Sequence, residues 1–135
     1  MNAGHNPPVV LRDGGLVRWL EPGGAPVGMF PYSNYQESVV QLYPGDLVVC
    51  CTDGVIEARN LQGEEWGVEG LLKATAAWES PASRRVEDLV DSIFSAMDDS
   101  SGSCQTDDAT VAVTRVRGDS RSDTVLSGST ISHRV

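Results

Sequence analysis

The feature that most constrains the fold is an uninterrupted apolar run, LVVCC (Leu47–Cys51), that stops at the polar step Thr52-Asp53-Gly54. A continuous apolar run of this length is typical of a strand that is buried on both faces of a sheet. The polar step costs burial free energy unless something is bound there. Asp53 is therefore the first candidate functional residue.

Further strand signals lie in the first half of the chain. The segment Val9–Leu20 places Asp13-Gly14-Gly15 between two apolar arms, which predicts a β-hairpin with glycine at positive φ. The segment Glu37–Tyr43 predicts another strand, and Pro44-Gly45 predicts the turn after it.

The second half predicts two helices. Gly67–Trp78 carries one largely apolar face, and Ser80–Asp99 carries a stronger stripe after the start signals Ser80 and Pro81. The first face comprises Val68, Leu71, Leu72, Thr75 and Trp78, and the second comprises Val86, Leu89, Val90, Ile93, Phe94 and Met97. Both faces are typical of core packing.

A polar loop, 98–106, then leads to Asp107-Asp108 and a closing strand, Thr110–Val116. Residues 117–135 are rich in Ser, Gly and charged residues without periodicity, which predicts a disordered polar tail. Strands, two helices and a final strand favour one α+β domain over residues 1–116, with an antiparallel sheet and helices on a face. Alternating βαβ units are not indicated, and no dinucleotide-binding glycine fingerprint is present.

Composition excludes several classes of function. The formal net charge of −9 argues against a sequence-independent nucleic-acid binder. The sequence shows neither a signal peptide nor an apolar run of membrane-spanning length, so no membrane partner is expected. Three cysteines without CxxC spacing, Cys50, Cys51 and Cys104, and only two histidines argue against zinc and indicate reduced thiols in the cytoplasm.

Two acidic steps mark strand ends, Asp53 after one strand and Asp107-Asp108 before another. If these strands are antiparallel neighbours, the carboxylates converge. Carboxylates without histidine or thiol partners suit Mg²⁺ or Mn²⁺, and Gly54 would let the backbone approach the ion. The alternative is that Asp53 forms a turn or caps a helix.

Other catalytic patterns are missing from the sequence. It contains no GxSxG motif and no Cys/His nucleophile arrangement, and its one lysine, Lys73, falls within a predicted helix instead of a P-loop. His5 could act as an acid or base, although Pro7-Pro8 after it first indicates a turn.

Three segments, NAGHNPP (2–8), LYPGDLVVCCTDGVIEARNLQGEEWG (42–67) and DDATVAVTRV (107–116), resemble in order and spacing the C-terminal part of the SpoIIE/RsbU-type branch of metal-dependent serine/threonine phosphatases, the PPM family. The resemblance implies part of an αββα sandwich of antiparallel sheets flanked by helices. It implies two Mn²⁺ or Mg²⁺ ions in a complete domain, with Asp53 and Asp107 as ligands. Gly54 and Asp108 are candidates for metal binding or for support of the site, and His5 is a candidate neighbour of the phosphate.

The implied reaction is hydrolysis of phosphoserine or phosphothreonine by a metal-activated water, without a phospho-enzyme. The implied substrate is a phosphoprotein such as an anti-anti-sigma factor.

The sequence departs from the family in one respect. Members carry, upstream of the NAGH segment, a Gly-Asp-x-x-Gly-His-Gly-type motif that supplies further metal ligands, and this sequence lacks it. The chain is therefore expected to be the C-terminal half of such a domain and weakly active or inactive alone. The alternatives are a non-catalytic interaction module that binds its missing N-terminal half, another partner or a second copy, and a reading frame with a misplaced start.

Overall fold

The structure, a computed structural model, describes residues 1–13, 15–21, 23–77, 85–101, 108–118 and 125–134. In these ranges the elements are β1 Val9–Arg12, β2 Gly15–Trp19, β3 Leu47–Cys51, α1 Asp53–Ile56, α2 Gly67–Ala77, α3 Val86–Ser101, β4 Ala109–Arg117 and β5 Val125–Arg134. The strands form one antiparallel sheet in the order β2-β1-β3-β4-β5. The α+β class is confirmed, and the described layers, one sheet with its helices, correspond to part of the predicted sandwich.

The apolar run forms the central strand β3, as predicted. Its alternate side chains face the helices and are fully buried in a single core, which also contains one face of β1 and of β4 and the inner faces of α2 and α3. On the opposite face, Val48 and Cys50 are only half-buried. Strand β3 is thus buried on one face and only half-buried on the other, whereas the continuous run had predicted burial on both.

The apolar stripe predicted for α3 is confirmed, because all six of its residues are buried. The helix runs from Val86 to Ser101, so the polar loop predicted over 98–106 is wrong for residues 98–101. Residues 102–107 and the expected start signals at Ser80 and Pro81 lie outside the described residues. In α2, Leu71 and Thr75 are buried, and the Thr75 hydroxyl donates to the Leu72 carbonyl at 2.9 Å. That bond satisfies a polar group that would otherwise be costly to bury.

The predicted hairpin is formed by β1 and β2. At its turn, the left-handed conformation is adopted by Asp13, with φ of 50°. Aspartate tolerates this region better than most residues. Gly14, which had been expected to supply the positive φ, lies outside the described residues.

The strand predicted over Glu37–Tyr43 is wrong, because the structure has no strand there. Gln36 donates one backbone hydrogen bond to Gly23, at 2.8 Å, and Val39 just beyond is 89% exposed. Strands depend on cross-strand side-chain pairs. The segment has the right residue types but no ladder in the described part of the chain.

The C-terminal strand corrects the prediction of a disordered polar tail over residues 117–135. β4 continues to Arg117, and Val125–Arg134 forms β5, which pairs with β4 from Ala109 to Arg117. Without it, the nine-residue β4 would present a row of unpaired backbone groups. Backbone pairing therefore outweighs the polar composition of this segment, while residues 119–124 and 135 lie outside the described ranges.

An ion pair between the buried Asp46 and the partly exposed Arg12 holds the end of the sheet where β3 begins. Asp46 is fully buried and accepts hydrogen bonds from Arg12 Nε at 2.7 Å, Arg12 Nη2 at 2.8 Å and the Tyr43 amide at 2.8 Å. Its backbone carbonyl accepts from Val116 of β4. The predicted turn at Pro44-Gly45 is present, with Gly45 at φ of 97°. Asp46 thereby joins β1, β3 and β4.

The hydrogen bond from Arg12 lowers the pKa of the Asp46 carboxyl below its ordinary value, which makes stability pH-dependent. We expect Asp46→Asn to lower the free energy of unfolding at pH 7 by about 1–3 kcal/mol, the range for hydrogen bonds to a charged group. The wild-type advantage is full above the unfolded-state pKa of about 3.9 and is lost as pH falls through the lower folded-state pKa. Urea denaturation between pH 2 and 7 measures the deficit of Asp46→Asn at pH 7 and its disappearance at low pH.

The matched control is Asp91→Asn, which neutralises an exposed carboxylate on α3. It should change the free energy of unfolding by less than about 0.5 kcal/mol at every pH. An Asp46→Asn deficit that stayed constant down to the lowest pH would contradict the assignment of this stability to the ionised carboxylate.

Candidate functional site

The register between β3 and β4 brings the two acidic steps of the sequence together. Cys51 is paired with Val111, and the Thr52 amide donates to the Thr110 carbonyl at 3.0 Å. Asp53 therefore follows the last rung of β3, while Asp108 precedes β4 on the neighbouring strand. The predicted antiparallel neighbourhood is confirmed, although Asp107 itself lies outside the described residues.

Thr52 makes a second connection between the same two segments. Its hydroxyl oxygen accepts a hydrogen bond from the Thr110 amide at 2.9 Å, and the hydroxyl donates to the Asp108 carbonyl at 3.3 Å. The Thr52 carbonyl accepts from the Val55 amide at 3.1 Å, which starts α1. One residue thus ends a strand, begins a helix and bonds the neighbouring strand.

Gly54 allows the two segments to approach closely. It is buried, and a Cβ built on it would overlap the Asp108 carbonyl oxygen and lie 2.9 Å from the Asp108 carbonyl carbon. The sequence had suggested that this glycine brings backbone near an ion. The neighbour seen in the structure is the Asp108 backbone, and the role of Gly54 near an ion stays a prediction.

Asp53 occupies the first position of α1 with an exposed side chain. One carboxylate oxygen, Oδ1, accepts the Gly54 amide at 3.1 Å. The residue lines an open cavity of about 230 Å³ together with Thr52 and three residues of the N-terminal segment, Gly4, His5 and Asn6. The carboxylate is therefore available to a ligand in the cavity.

His5 reaches this cavity from a turn that Asn2 stabilises. The Asn2 side chain accepts from the His5 amide at 3.0 Å and donates to the His5 carbonyl at 2.9 Å and to the Leu20 carbonyl at 3.3 Å. His5 Nδ1 lies 2.9 Å from the Asn6 carbonyl, which can only accept. In the neutral ring the proton is thus on Nδ1, and Nε2 retains a lone pair.

The predicted site residues fall into two adjoining groups. Asp53 and His5 line one cavity, while Gly54 and Asp108 meet through their backbones. In the part of the chain that the structure describes, no group of three or more His, Cys, Asp or Glu side chains could hold a metal ion. Among the helices described there, none is long and apolar enough to cross a membrane.

Sequence reasoning missed three contributors to this site. Thr52, Asn2 and the short helix α1 were not assigned roles. A threonine directly before an acidic residue at a strand end is a signal for a helix N-cap, so α1 could have been predicted. The contacts of Asn2 with His5 and Leu20 could not have been predicted, because no local sequence pattern indicates them.

Comparison with known proteins identifies related sequences. The family model described as Stage II sporulation protein E (SpoIIE) matches residues 1–117. Protein IcfG of Synechocystis sp. is 32% identical over 111 residues, which cover 82% of this chain and 17% of that protein. The chain thus spans less than a fifth of the length of this relative. No solved structure matches the chain.

The close approach at Gly54 yields a test of the site geometry. We expect Gly54→Ala to lower the free energy of unfolding by about 1–3 kcal/mol, because the added methyl must displace the Asp108 carbonyl. Urea denaturation measures the loss, and amide chemical shifts of residues 108–110 locate it.

Gly15→Ala is the matched control, since its Cβ would lie 3.5 Å from the Arg12 carbonyl oxygen, an ordinary contact. It should leave the free energy of unfolding unchanged or raise it by up to about 1 kcal/mol, because alanine restricts the unfolded chain. Equal losses in the two variants would show that the Gly54 contact has no special effect.

Proposed function

The chain belongs to the SpoIIE family, and we propose on that basis that it acts in a metal-dependent protein serine/threonine phosphatase domain. The observation that carries the proposal is the position of Asp53. This carboxylate follows the central strand, lines an open cavity with His5 and adjoins the segment that begins at Asp108. A carboxylate at a rigid strand end can hold a cation without rearrangement.

The donor set fits Mg²⁺ or Mn²⁺. Mg²⁺ in phosphoryl-transfer sites is held by one or two carboxylates and keeps several waters and substrate oxygens. We propose Asp53 and Asp107 as the protein ligands, with Asp108 and Gly54 in support. Two carboxylates leave most of an octahedral shell to water and phosphate. Bound Mg²⁺ or Mn²⁺ would supply Lewis-acid polarisation of the phosphoryl group and of the attacking water.

The other proposed roles in the site belong to residues of the chain. Asp53 holds its carboxylate at the cavity, with Oδ1 oriented by the Gly54 amide. Thr52 and Gly54 fix the backbone at Asp108. His5 is proposed to lie beside the phosphate. Its Nδ1 is engaged by the Asn6 carbonyl, so Nε2 is the atom that can hold or release a proton next to a phosphoryl or serine oxygen.

The proposed substrate is a phosphoserine or phosphothreonine on a protein surface, as in an anti-anti-sigma factor. The cavity is open, and both Asp53 and His5 are exposed, so a phosphorylated side chain on a folded partner can reach them. The cytoplasm is the proposed location, because Cys50 and Cys51 are free thiols in a packed sheet.

A second candidate is a non-catalytic interaction module. One observation favours it: Val48, Cys50 and Ala112 on one sheet face are only half-buried. Another polypeptide segment or a second copy of the chain could cover that face. In this case the chain would bind its partner without hydrolysing phosphate.

The phosphatase proposal is tested by Mn²⁺-dependent hydrolysis of p-nitrophenyl phosphate. We expect only weak turnover by the chain alone, and we expect it to require Mn²⁺. Asp53→Asn should lower that turnover at least about 100-fold, because removal of a charged ligand costs several kcal/mol of transition-state stabilisation. Rates are compared at equal protein concentration after circular dichroism has shown both chains to be folded.

Asp91→Asn controls for the loss of one negative charge and should keep the wild-type rate. A folded chain without Mn²⁺-dependent turnover would favour the interaction module. Turnover that survived in Asp53→Asn would show that the hydrolysis does not depend on the proposed ligand.

A further inference from the structure

Thr52 occupies a helix N-cap without using its side chain as one. It precedes α1 with φ of −77° and ψ of 168°, and its side chain makes no capping hydrogen bond. An N-cap threonine ordinarily accepts a hydrogen bond from an amide in the first turn of its own helix. Here the hydroxyl is directed to the neighbouring strand instead, which indicates that a different requirement determines its position.

That requirement arises where the β3–β4 ladder ends. In a hydrogen-bonded antiparallel pair, two residues exchange both of their amide-to-carbonyl bonds. Thr52 gives its amide to the Thr110 carbonyl at 3.0 Å, but its own carbonyl accepts the Val55 amide of α1. The Thr110 amide is directed to the Thr52 side chain and not to this carbonyl. The Thr52 hydroxyl oxygen replaces the missing carbonyl and accepts that amide at 2.9 Å.

The hydroxyl hydrogen completes the arrangement. It is donated to the Asp108 carbonyl at 3.3 Å, and the same carbonyl lies against the backbone of Gly54. Thr52 thus bonds the chain at two places two residues apart, Asp108 and Thr110. The backbone between these contacts follows Asp107 directly, and the Thr52 side chain contributes to holding it near Asp53.

We propose that Thr52 is a positioning residue, whose hydroxyl holds the Asp108 backbone beside the start of α1, where Asp53 lies. This inference rests on the proposed function, because the consequence is a defined affinity for the divalent cation. Groups that orient metal ligands typically change metal affinity by about 10–100-fold when they are removed. The β-branched side chain contributes by restricting the rotamer that aims the hydroxyl.

The test compares Thr52→Val, which removes the hydroxyl at nearly constant volume, with Thr52→Ser, which keeps it. We expect Mn²⁺ affinity, measured by titration calorimetry on the full chain, to fall about tenfold or more in Thr52→Val and to stay within about threefold in Thr52→Ser. Amide hydrogen exchange at Thr110, measured without metal, should accelerate in Thr52→Val alone.

Thr75→Val is the matched control. It also deletes a hydroxyl that bonds a backbone carbonyl at 2.9 Å, but within α2. Its Mn²⁺ affinity and its Thr110 exchange should equal those of the wild type. An equal fall in Mn²⁺ affinity in Thr75→Val and Thr52→Val would show that the affinity follows the overall stability of the fold, which would overturn the proposal.

Two further outcomes would overturn the positioning role. One is wild-type Mn²⁺ affinity and Thr110 exchange in Thr52→Val. The other, decisive even if Thr52→Val does not fold, is a tenfold loss of affinity in folded Thr52→Ser. A wild-type chain that bound no Mn²⁺ would instead overturn the phosphatase proposal and the effect on the cation, and Thr110 exchange would still decide whether Thr52 fixes the backbone.

Discussion

The antiparallel pairing of β3 with β4 is the constraint on which the rest of the structure depends. Residues adjacent in this ladder are about sixty positions apart in the sequence, since Cys51 pairs with Val111. The intervening chain forms α2 and α3, which cover one face of the sheet and bury the apolar side chains of both strands. A shift of one residue would turn those side chains to the other face and separate Asp53 from Asp108.

The two aspartates at the ends of β3 have different roles because their environments differ. Asp46, before the strand, is fully buried and bonded to Arg12, Tyr43 and β4, so its carboxylate is engaged in hydrogen bonds that stabilise the fold. Asp53, after the strand, is exposed and keeps a carboxylate oxygen for a ligand. Because hydrogen bonds fix the strand at Asp46, its other end can hold the exposed carboxylate of Asp53 in a defined position.

Much of this arrangement could be predicted from the sequence, because the signals were local and strong. The apolar run of β3, the stripe of α3 and the turn at Pro44-Gly45 each arise from neighbouring residues. Predictions failed where long-range pairing decided the outcome. Glu37–Tyr43 has strand residues without a partner, whereas Val125–Arg134 has a polar composition and pairs with β4. The Thr52 bonds also depend on a distant strand, so only its helix-capping position was visible locally.

The alternation of β3 also separates two neighbouring thiols. Cys51 faces the helices, where burial raises its pKa to about 11, whereas Cys50 lies half-buried on the opposite face, and burial raises its pKa too. Both are protonated at neutral pH, but only the sulfur of Cys50 is within reach of solvent reagents on the partly covered face. Cys50 can therefore serve as a chemical probe. Its rate of alkylation would show whether another surface covers that side of the sheet.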